Sequence, residues 1–503
     1  MRVAFINVNL KKHELPDREL EFYNKKCSIE LGTLYLDANV DWQPGDKTAH
    51  FNLKKIALEG KDWKQTIFSF KPDIVALSAL TYYEAELYTT ARYMKQVTGA
   101  TIIVGGPHVT AVGTEVFNEA AIDFAIAGEG ETPFRKLIQQ CRQSKKNFES
   151  IPGLMWREFN EINFNQRGEG ETLDLLTYPQ IKHVNPTEYF GYTSILNLKI
   201  PHMPIVTTRG CPYKCVYCHD IMGKNIRYRS KDNVLSEVDY WRSQGINTFL
   251  INDDIFNIHR KRAQDLFREF SKRRGLRIAF PNGLRADLLD RKTIDLFVEG
   301  GMFYAMVAIE SGDASIQTRI KKNLHLDKVF EAIEYMGELG VLVGSFNIFG
   351  FPGETEKDIE RTIAFNELTT GLSKANFFIL NPHKGTEVYS MALAEGFVPA
   401  KFASQGFFNV HSASPTKYIK TERLDELRAE AYTRFYLTED RINRTLCSKA
   451  ANMTNDERRQ FHQIDYSYVI KQFVGVDNLQ KNISSKVRDK LNLLLPDGII
   501  KTY

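Results

Sequence analysis

The stretch TTRGCPYKCVYCHD, residues 207–220, decides how the rest of this chain is interpreted. It follows a short apolar run and places Cys211, Cys215 and Cys218 within eight residues, although the whole chain has only six cysteines. A structural zinc site takes four ligands, often from two separated Cys-x2-Cys pairs, and no second pair is present. Three cysteines at this spacing instead favour a [4Fe–4S] cluster whose fourth iron stays open to a ligand that is not protein.

The bulk composition is that of a globular protein with two or three domains. The chain has 503 residues, 43% of them hydrophobic, and 66 Lys and Arg against 62 Asp and Glu give a net charge of +4. This near balance gives no reason to expect a nucleic-acid partner. The sequence has no run as long as a membrane span and no signal peptide pattern at Met1, so we expect a cytoplasmic protein. Clustered cysteines in that compartment indicate a metal or redox site rather than disulfides.

The first 140 residues alternate strand-like and helix-like segments. Short apolar runs lie at 3–8, 73–80, 101–106 and 123–130, with helical patterns between them. This alternation predicts an α/β domain with a doubly wound, Rossmann-like parallel sheet over residues 1–140. Ligands bind such sheets at the carboxyl ends of the strands, which here carry small and polar residues. The alternative is that these strand ends are ordinary turns.

Six further strand candidates follow a predicted connector at residues 141–197. They lie at 204–210, 248–256, 277–283, 303–312, 343–353 and 375–385, with helical segments between them. Repeated βα units of this length predict a full or partial (β/α) barrel over residues 198–400, with its site on the loops after the strands. Residues 401–503 are expected to form a mainly helical C-terminal domain.

The cysteine motif resembles the signature Cys-x3-Cys-x2-Cys of the radical S-adenosylmethionine (radical SAM) superfamily. The resemblance extends over residues 205–400 through IESG (309–312) and NIFGFPGE (347–354). It implies that the three cysteines hold a [4Fe–4S] cluster, that the open iron binds SAM, and that one-electron reduction cleaves SAM to a 5′-deoxyadenosyl radical. The SAM-binding residues that it implies are Tyr217, Asn252, Asp253, Asp254, Arg285, Glu310, Ser311, Ile348 and Gly350.

Several of these residues also have a structural interpretation that needs no ligand. Asp253 or Asp254 could cap the helix that follows, since aspartate is a preferred N-cap residue. Arg285 could pair with a nearby carboxylate, and Gly353 could serve only as a turn residue. Both interpretations are kept for these positions.

Residues 1–140 resemble the B12-binding domain of the cobalamin-dependent radical SAM enzymes. The resemblance rests on IELGTLYLDANV (29–40), SAL (78–80), VGGPHVTA (104–111) and AGEGETPF (127–134). It implies that cobalamin binds at the strand ends. The residues predicted to bind it are Asn7, Asn9, Ser78, Leu80, Gly105, Gly106, Pro107, His108, Gly128, Glu129 and Gly130.

One part of the B12-binding pattern is absent. Classical domains carry Asp-x-His-x-x-Gly after the first strand, and its histidine coordinates cobalt. This chain has Asn-Val-Asn-Leu-Lys-Lys at residues 7–12, so no imidazole ligand is available there. The sequence therefore predicts a base-off cobalamin without that histidine, and the alternative is a degenerate domain without cofactor. His108 follows two glycines in a turn, where a hydrogen-bonding role is the competing interpretation.

The resemblance implies a C-methyltransferase that acts on a small biosynthetic substrate and draws electrons from a reductant such as flavodoxin or ferredoxin. Radical rearrangement, cyclisation or ring contraction without methyl transfer is the first alternative. A cobalamin-binding sensor with a vestigial barrel is a second. A tRNA- or peptide-modifying enzyme with an auxiliary cluster is disfavoured, because Cys27, Cys141 and Cys447 are scattered.

Overall fold

The computed structural model describes residues 1–10, 27–144, 146–159, 161–189, 198, 200–219, 221–397, 416–474 and 484–495. The chain divides into two compact units, and elements are numbered along the chain across both. The first unit comprises Met1–Tyr192 with His219–Gln244, and the second comprises Thr193–Cys218 with Gly245–Tyr503. Within the described ranges, every helix is too short or too polar to cross a bilayer.

The first unit is built around one sheet of seven strands. The strands are β1 (Arg2–Val8), β2 (Lys47–Asn52), β3 (Ile74–Ala79), β4 (Thr101–Gly105), β5 (Phe124–Ile126), β6 (Leu154–Glu158) and β7 (Glu161–Phe164), in the order β2-β1-β3-β4-β5-β6-β7. The first five are parallel, and β6 and β7 continue the sheet antiparallel.

Helices cover both faces of this sheet. The helices of this unit are α1 (Leu31–Ala38), α2 (Leu53–Leu58), α3 (Trp63–Phe70), α4 (Glu84–Thr98), α5 (Pro107–Val112), α6 (Glu131–Cys141) and α7 (Lys231–Ser243), and the first six supply the packing described next. Residues of α2 to α5, such as Leu87, pack with one set of strand side chains. Residues of α1 and α6, such as Leu36 and Phe134, pack with the other. The predicted doubly wound α/β fold is confirmed.

Two parts of this sheet were not predicted. Strand β2 has the sequence KTAHFN, whose first four residues are only partly buried or exposed, so it lacks the apolar run of a central strand. Strands β6 and β7 lie in the stretch that we assigned to a connector. The sheet therefore continues beyond residue 140, because β6 pairs directly with β5.

The second unit contains a six-stranded sheet that is parallel throughout. Its strands are β8 (Met203–Ile205), β11 (Thr248–Ile251), β12 (Arg277–Leu284), β13 (Met302–Glu310), β14 (Leu342–Phe349) and β15 (Leu372–Ile379). The short strands β9 (Thr208–Arg209) and β10 (Arg227–Tyr228) belong to the second and first unit, respectively. The order is β15-β14-β13-β12-β11-β8, so β8 and β15 are the two edges and the barrel is partial.

Each strand of the partial barrel overlaps one of the six predicted segments. The helices of this unit are α8 (Arg260–Ser271), α9 (Arg291–Glu299), α10 (Ala314–Arg319), α11 (Leu326–Glu338), α12 (Glu356–Leu368) and α13 (Glu387–Ala394). The predicted helical C-terminal region follows as α14 (Thr421–Tyr436), α15 (Glu439–Cys447), α16 (Asn455–Val469) and α17 (Ser485–Leu494).

The C-terminal helices complete the open edge of this sheet at β15. The backbone N–H of Ala375 donates to the hydroxyl of Tyr436 and that of Phe377 to the hydroxyl of Tyr432, both at 3.1 Å. The Tyr436 hydroxyl also donates to Asp465 of α16 at 2.6 Å. Since unpaired backbone donors of an edge strand invite other strands, these tyrosines protect β15.

The amino-terminal half of the barrel interior is filled by apolar side chains. Leu250, Ala279, Met306 and Leu342 from four strands pack with Phe461 of α16 in one buried cluster. A filled interior leaves the carboxyl ends of the strands as the place for a ligand, as in other βα barrels.

Candidate functional site

The predicted ligand residues of the first unit lie in one row at the carboxyl edge of its sheet. Asn7 of β1 is in register with Ser78 of β3, and Ser78 is in register with Gly105 of β4. Asn52, which the sequence did not suggest, extends the row because it is in register with Asn7 on the other side. The row presents neutral and small side chains.

The strand order reverses at the centre of this row. β1 lies between β2 and β3, so the chain leaves β1 toward one side and β3 toward the other. Ligands of doubly wound sheets bind in the crevice at such a switch point. Asn7, Asn9, Ser78 and Leu80 lie there, and the Leu80 side chain is 43% exposed. A position with an exposed apolar side chain beside polar amides suits an organic ligand.

The two asparagines of the first loop are held by neighbouring elements. The Asn7 side chain lies 3.3 Å from the hydroxyl of Thr33 in α1. The side-chain oxygen Oδ1 of Asn9 accepts a hydrogen bond from the backbone N–H of Lys54 at 3.0 Å. Both contacts fix the loop after β1 before any ligand arrives.

The glycine pair after β4 allows close approach of two strand ends. Gly106 has a φ of +91°, and a Cβ there would lie 2.7 Å from the Oγ of Ser78. Pro107 is the first residue of α5, where its missing N–H is not needed. His108 is completely buried, and its Nε2 lies 3.1 Å from the Tyr88 hydroxyl. This contact agrees with a hydrogen-bonding role for His108 rather than with a side chain exposed at the carboxyl edge of the sheet.

Two arginines, Arg167 and Arg227, lie against the loop after β5. A Cβ at Gly128, whose φ is +83°, would lie 2.8 Å from the Nε of Arg167. The Glu129 carboxylate forms an ion pair with Arg227. Gly130 packs against Leu36, because a Cβ there would lie 2.8 Å from its methyl group. All six residues belong to the first unit.

These observations fit a cobalamin without a histidine ligand from the protein loop. The row offers no imidazole, and small residues at the strand ends let a long ligand pass close to the backbone. His50 of β2 lies inside the sheet instead, stacked on Phe5 and bound to Asp37 at 2.8 Å.

The cysteine loop of the second unit is anchored through its middle. The Val216 side chain is buried among apolar residues such as Ile320 and Val388. Its backbone N–H donates to the carbonyl of Ile320 at 3.1 Å, and its carbonyl accepts from the N–H of Val388 at 2.8 Å. The flanking cysteines are thereby presented on a fixed support.

The three thiols lie on the outer side of this loop. Cys211 and Cys215 are half-buried, Cys218 is exposed, and all three are reduced thiols rather than disulfides. The Cys215 Sγ donates weakly to the Lys321 carbonyl at 3.9 Å. In the described part of the chain, no three His, Cys, Asp or Glu side chains converge on one metal ion. A [4Fe–4S] cluster requires no such convergence, since each thiolate binds a different iron, so the donor set fits it.

Glu310, at the end of β13, connects the cysteine loop to a lysine. Its Oε1 accepts from the Tyr217 hydroxyl and from the Lys322 ammonium, each at 3.1 Å. Burial and the neighbouring Glu310 carboxylate raise the pKa of Tyr217 well above its usual range. Glu310 has a φ of +65°, a strained conformation for a non-glycine residue that is typical of functional sites.

The two aspartates after β11 hold the backbone of the cysteine segment. Asp253 is buried and accepts from the N–H and hydroxyl of Thr207, the latter at 2.6 Å. Burial raises the pKa of Asp253 despite these bonds. Asp254 accepts from the N–H of Gly210 at 3.0 Å, directly before Cys211. Neither aspartate caps α8, whose N-cap is His259.

Asn252 precedes these aspartates and has an unsatisfied polar atom. Its Oδ1 is buried and accepts no hydrogen bond, whereas its backbone N–H is bonded to Ile205 at 2.9 Å. An unpaired buried carbonyl is unfavourable, so a donor from a ligand would be strongly bound here.

Arg285, which follows β12, packs against Tyr213 of the cysteine loop. Its guanidinium lies 4.0 Å from the ring centre of Tyr213, in a cation–π contact. It also pairs with Asp287 and donates to the carbonyl of Asn323 at 3.1 Å. The predicted carboxylate pairing of Arg285 is therefore present.

The remaining predicted SAM residues lie at the ends of β13 and β14. Ser311 is fully buried, and its hydroxyl forms a hydrogen bond of 3.2 Å with the hydroxyl of Thr362. Ile348 packs beside Tyr217 and Val216 in one apolar cluster. Gly350 has a φ of +92°, and its N–H donates to Glu354.

Glu354 was not among the predicted site residues. Its side chain is fully buried, and one oxygen accepts from the N–H groups of Gly350 and Phe351. The other oxygen has no partner, and burial raises the pKa of Glu354 to about 8. Gly353 has a φ of +75°, as expected of a turn residue. Glu354 thus fixes the turn after β14 in its protonated form.

Two family models match this chain. Residues 205–365 match the radical SAM superfamily, and residues 35–138 match the B12-binding domain. The chain is 28% identical over 383 residues to an uncharacterized methyltransferase of Pyrococcus horikoshii, covering 75% of this chain and 81% of that protein. It is 27% identical over 425 residues to cytidylyl-2-hydroxyethylphosphonate methyltransferase of Streptomyces wedmorensis, covering 76% and 79%.

Two solved structures share the fold. One is the radical SAM methyltransferase TsrM from Kitasatospora setae, solved with cobalamin and a [4Fe–4S] cluster, with 17% identity and a TM-score of 0.62 over 77% of this chain and 76% of that one. The other is the cobalamin-dependent SAM radical enzyme OxsB, with 15% identity and a TM-score of 0.60 over 98% of this chain and 70% of that one.

Proposed function

We infer that the chain is a radical SAM enzyme with a B12-binding domain, because residues 205–365 and 35–138 match those two family models. From that premise we propose that it is a C-methyltransferase for a small biosynthetic substrate. In the proposed reaction one SAM is cleaved by one electron to methionine and a 5′-deoxyadenosyl radical, which takes a hydrogen atom from an unactivated carbon and becomes 5′-deoxyadenosine. That carbon would receive the methyl group that methylcobalamin supplies. One further electron from the reductant and the methyl group of a second SAM, released as S-adenosylhomocysteine, would restore methylcobalamin. When bound, the cluster supplies the electron and cobalamin supplies the methyl group.

The carboxyl edge of the partial barrel supports the first half of this proposal. Cys211, Cys215 and Cys218 would hold the cluster, because they are the only cysteines on one anchored loop among the described residues. The unsatisfied Oδ1 of Asn252 would accept a hydrogen bond from the SAM ammonium. The buried carboxylate of Glu310 would accept from a ribose hydroxyl beside Tyr217.

The row of neutral residues in the first unit supports the second half. Asn7, Asn9, Ser78 and Leu80 would contact cobalamin at the switch point, and Gly105 with Gly106 would let it approach the backbone. The chain's role there would be to hold and orient the ligand, since the row offers no imidazole to coordinate cobalt. The names of the two relatives, both methyltransferases, favour methyl transfer over rearrangement.

One observation carries the proposal most directly. The three-cysteine loop, the orphaned Asn252 oxygen and the strained Glu310 all belong to the second unit, at the carboxyl ends of its strands. A bound SAM would use all three features: the cysteines to hold the cluster, the Asn252 oxygen to accept a hydrogen bond, and the Glu310 carboxylate to accept another. We further propose a one-electron reductant such as flavodoxin or ferredoxin as the partner.

The test is anaerobic incubation of the reconstituted protein with SAM, methylcobalamin, a chemical reductant and candidate substrates. We expect 5′-deoxyadenosine and S-adenosylhomocysteine in equal amounts, together with a methylated product. Formation of 5′-deoxyadenosine without S-adenosylhomocysteine would replace methyl transfer by radical rearrangement. A protein that carries no iron and cleaves no SAM would contradict the whole proposal and favour a cobalamin sensor.

A further inference from the structure

The segment that follows the third cysteine folds with the B12-binding unit. The boundary between the two units falls between Cys218 and His219, and residues 219–244 belong to the first unit. Cys218 itself belongs to the second. The chain therefore passes from the cysteine motif directly into the unit that is proposed to hold cobalamin.

Three side chains tie this segment to loops of the first unit. Arg167 donates to the carbonyl of Ile221 at 2.7 Å, and Asp174 accepts from the N–H of Ser230 at 2.8 Å. Arg227 makes the third contact, to the loop after β5. The part of the segment that precedes α7 is thus fixed at three points.

Arg227 differs from the other two because it reaches a predicted cobalamin residue. One nitrogen pairs with the Glu129 carboxylate, and another donates to the carbonyl of Glu171 at 2.7 Å. The guanidinium packs flat on Gly170, where a Cβ would overlap it. The two side chains of the ion pair are only 22% and 14% exposed, so solvent screens the pair weakly.

We propose that Arg227 is a positioning residue that couples cobalamin binding to SAM binding. This inference rests on the proposed function. Cobalamin at the loop of residues 128–130 would stabilise the loop conformation in which Glu129 faces Arg227. Arg227 would then fix the segment that begins directly after Cys218, which lowers the entropy lost when SAM binds at the cluster. Such coupling is reciprocal between the two ligands.

The experiment measures SAM affinity of the anaerobically reconstituted protein by equilibrium dialysis, with and without saturating hydroxocobalamin. In the wild type we expect hydroxocobalamin to tighten SAM binding about fivefold. In Arg227→Gln we expect no change, and Arg227→Lys should keep part of it, since the charge remains but the fork geometry is lost. The electron paramagnetic resonance spectrum of the reduced cluster with SAM should respond to hydroxocobalamin in the wild type only.

Arg142→Gln is the matched control. Arg142 also forms a half-buried ion pair in the first unit, with Asp46, and its side chain is 21% exposed. Asp46 precedes β2, at the opposite end of the strands from the predicted cobalamin row. The Arg142→Gln variant should keep the full fivefold response. The control thereby separates the general effect of losing a half-buried ion pair from the effect of losing the Arg227–Glu129 pair.

The outcomes distinguish the two proposals. If the wild type binds hydroxocobalamin but its SAM affinity does not change, or if Arg227→Gln responds as the wild type does, the role of Arg227 is wrong and the proposed function stands. If the wild type binds no hydroxocobalamin, the proposed cofactor is wrong and the coupling falls with it. A response in the wild type and Arg142→Gln that is lost in Arg227→Gln supports the inference.

Discussion

The two candidate sites lie at the carboxyl ends of parallel strands, yet they are built from different groups. In the first unit the strand ends carry a neutral row, with Asn7 beside Ser78 and Gly105. In the second unit they carry buried ionisable groups, such as Glu310 and Asp253. The first arrangement would select a ligand by its shape along the backbone, and the second would select one by its charges and hydrogen bonds. Substitutions that change shape and substitutions that change charge should therefore affect the two sites differently.

The largest effect should come from the cysteine loop. Replacing Cys211, Cys215 or Cys218 by alanine removes a thiolate that no other group on the loop can replace, so the cluster should not assemble. We expect loss of iron and of all detectable 5′-deoxyadenosine formation. Cys447→Ala, at an exposed thiol of α15, is the control and should keep both. A cysteine variant of the motif that retains iron and cleavage would show that the loop is not the cluster site.

Removing the charge of Glu310 should have the next largest effect. Glu310→Gln leaves the Lys322 ammonium, which is only 13% exposed, without its carboxylate. We expect SAM to bind about 10- to 100-fold more weakly and the free energy of unfolding to fall by about 3 kcal/mol. Both can be measured, by dialysis and by denaturant titration.

Glu387→Gln is the matched control for Glu310. It breaks the neighbouring ion pair with Lys321, whose two side chains are both 49% exposed. Exposed pairs contribute about 0.2–1 kcal/mol, so this variant should stay close to the wild type in stability and SAM affinity. Equal effects of the two variants would refute a special role for the buried charge.

Glu354 should make the stability of the second unit depend on pH. Burial is the main reason that its pKa rises from 4.5 in the unfolded chain to about 8. Hydrogen bonds from the backbone N–H groups of Gly350 and Phe351 oppose this rise, Asp358 adds to it and Arg319 opposes it. The folded protein therefore binds a proton that the unfolded chain releases, and this stabilisation is complete below pH 4.5 and lost as the pH rises toward 8. Relative to Glu354→Gln, the wild type should lose up to about 1.4 kcal/mol per pH unit in this range. Denaturant titrations of both proteins at pH 5 and pH 8 give the change in the free energy of unfolding. An equal change in the wild type and in Glu354→Gln would contradict the prediction.

The smallest effect tests shape in the first unit. Gly106→Ala places a methyl group 2.7 Å from the Oγ of Ser78 and strains a φ of +91°. Gly99→Ala strains a φ of +66° but has no atom within 4 Å of the new methyl group. We expect the free energy of unfolding to fall by about 2 kcal/mol and about 1 kcal/mol, respectively. Only Gly106→Ala should also weaken hydroxocobalamin binding, and equal binding by both variants would exclude the row as a ligand site.

The sequence predicts the strands that are buried on both faces and misses those that are not. All six strands of the partial barrel and four of the first sheet are apolar runs, so their pattern is clear. β2 is an edge strand with Lys47 and His50, and β6 and β7 form an antiparallel extension in a polar stretch. These three strands carry charged or exposed residues along much of their length, whereas β8 and β15, although they are the edges of their sheet, are largely buried.

The candidate site shows the same division. Residues with a motif, such as the three cysteines and Glu310, were recognised from local spacing. Their partners were not, because Lys322 lies 12 residues from Glu310, and Arg227 lies 98 residues from Glu129. Such pairings depend on tertiary structure and leave no periodic signal.

The tyrosine contacts on β15 have a consequence for how the protein is made. Tyr432, Tyr436 and Asp465 leave the ribosome after the last barrel strand, which ends at Ile379. At about 5–20 residues per second, β15 waits on the order of ten seconds with bare backbone donors before these residues emerge. During synthesis, the unprotected edge of β15 in one nascent chain can therefore pair with strands of other nascent chains that are translated from the same mRNA. A slower stretch of translation after residue 379 should lower the soluble yield without changing a single amino acid.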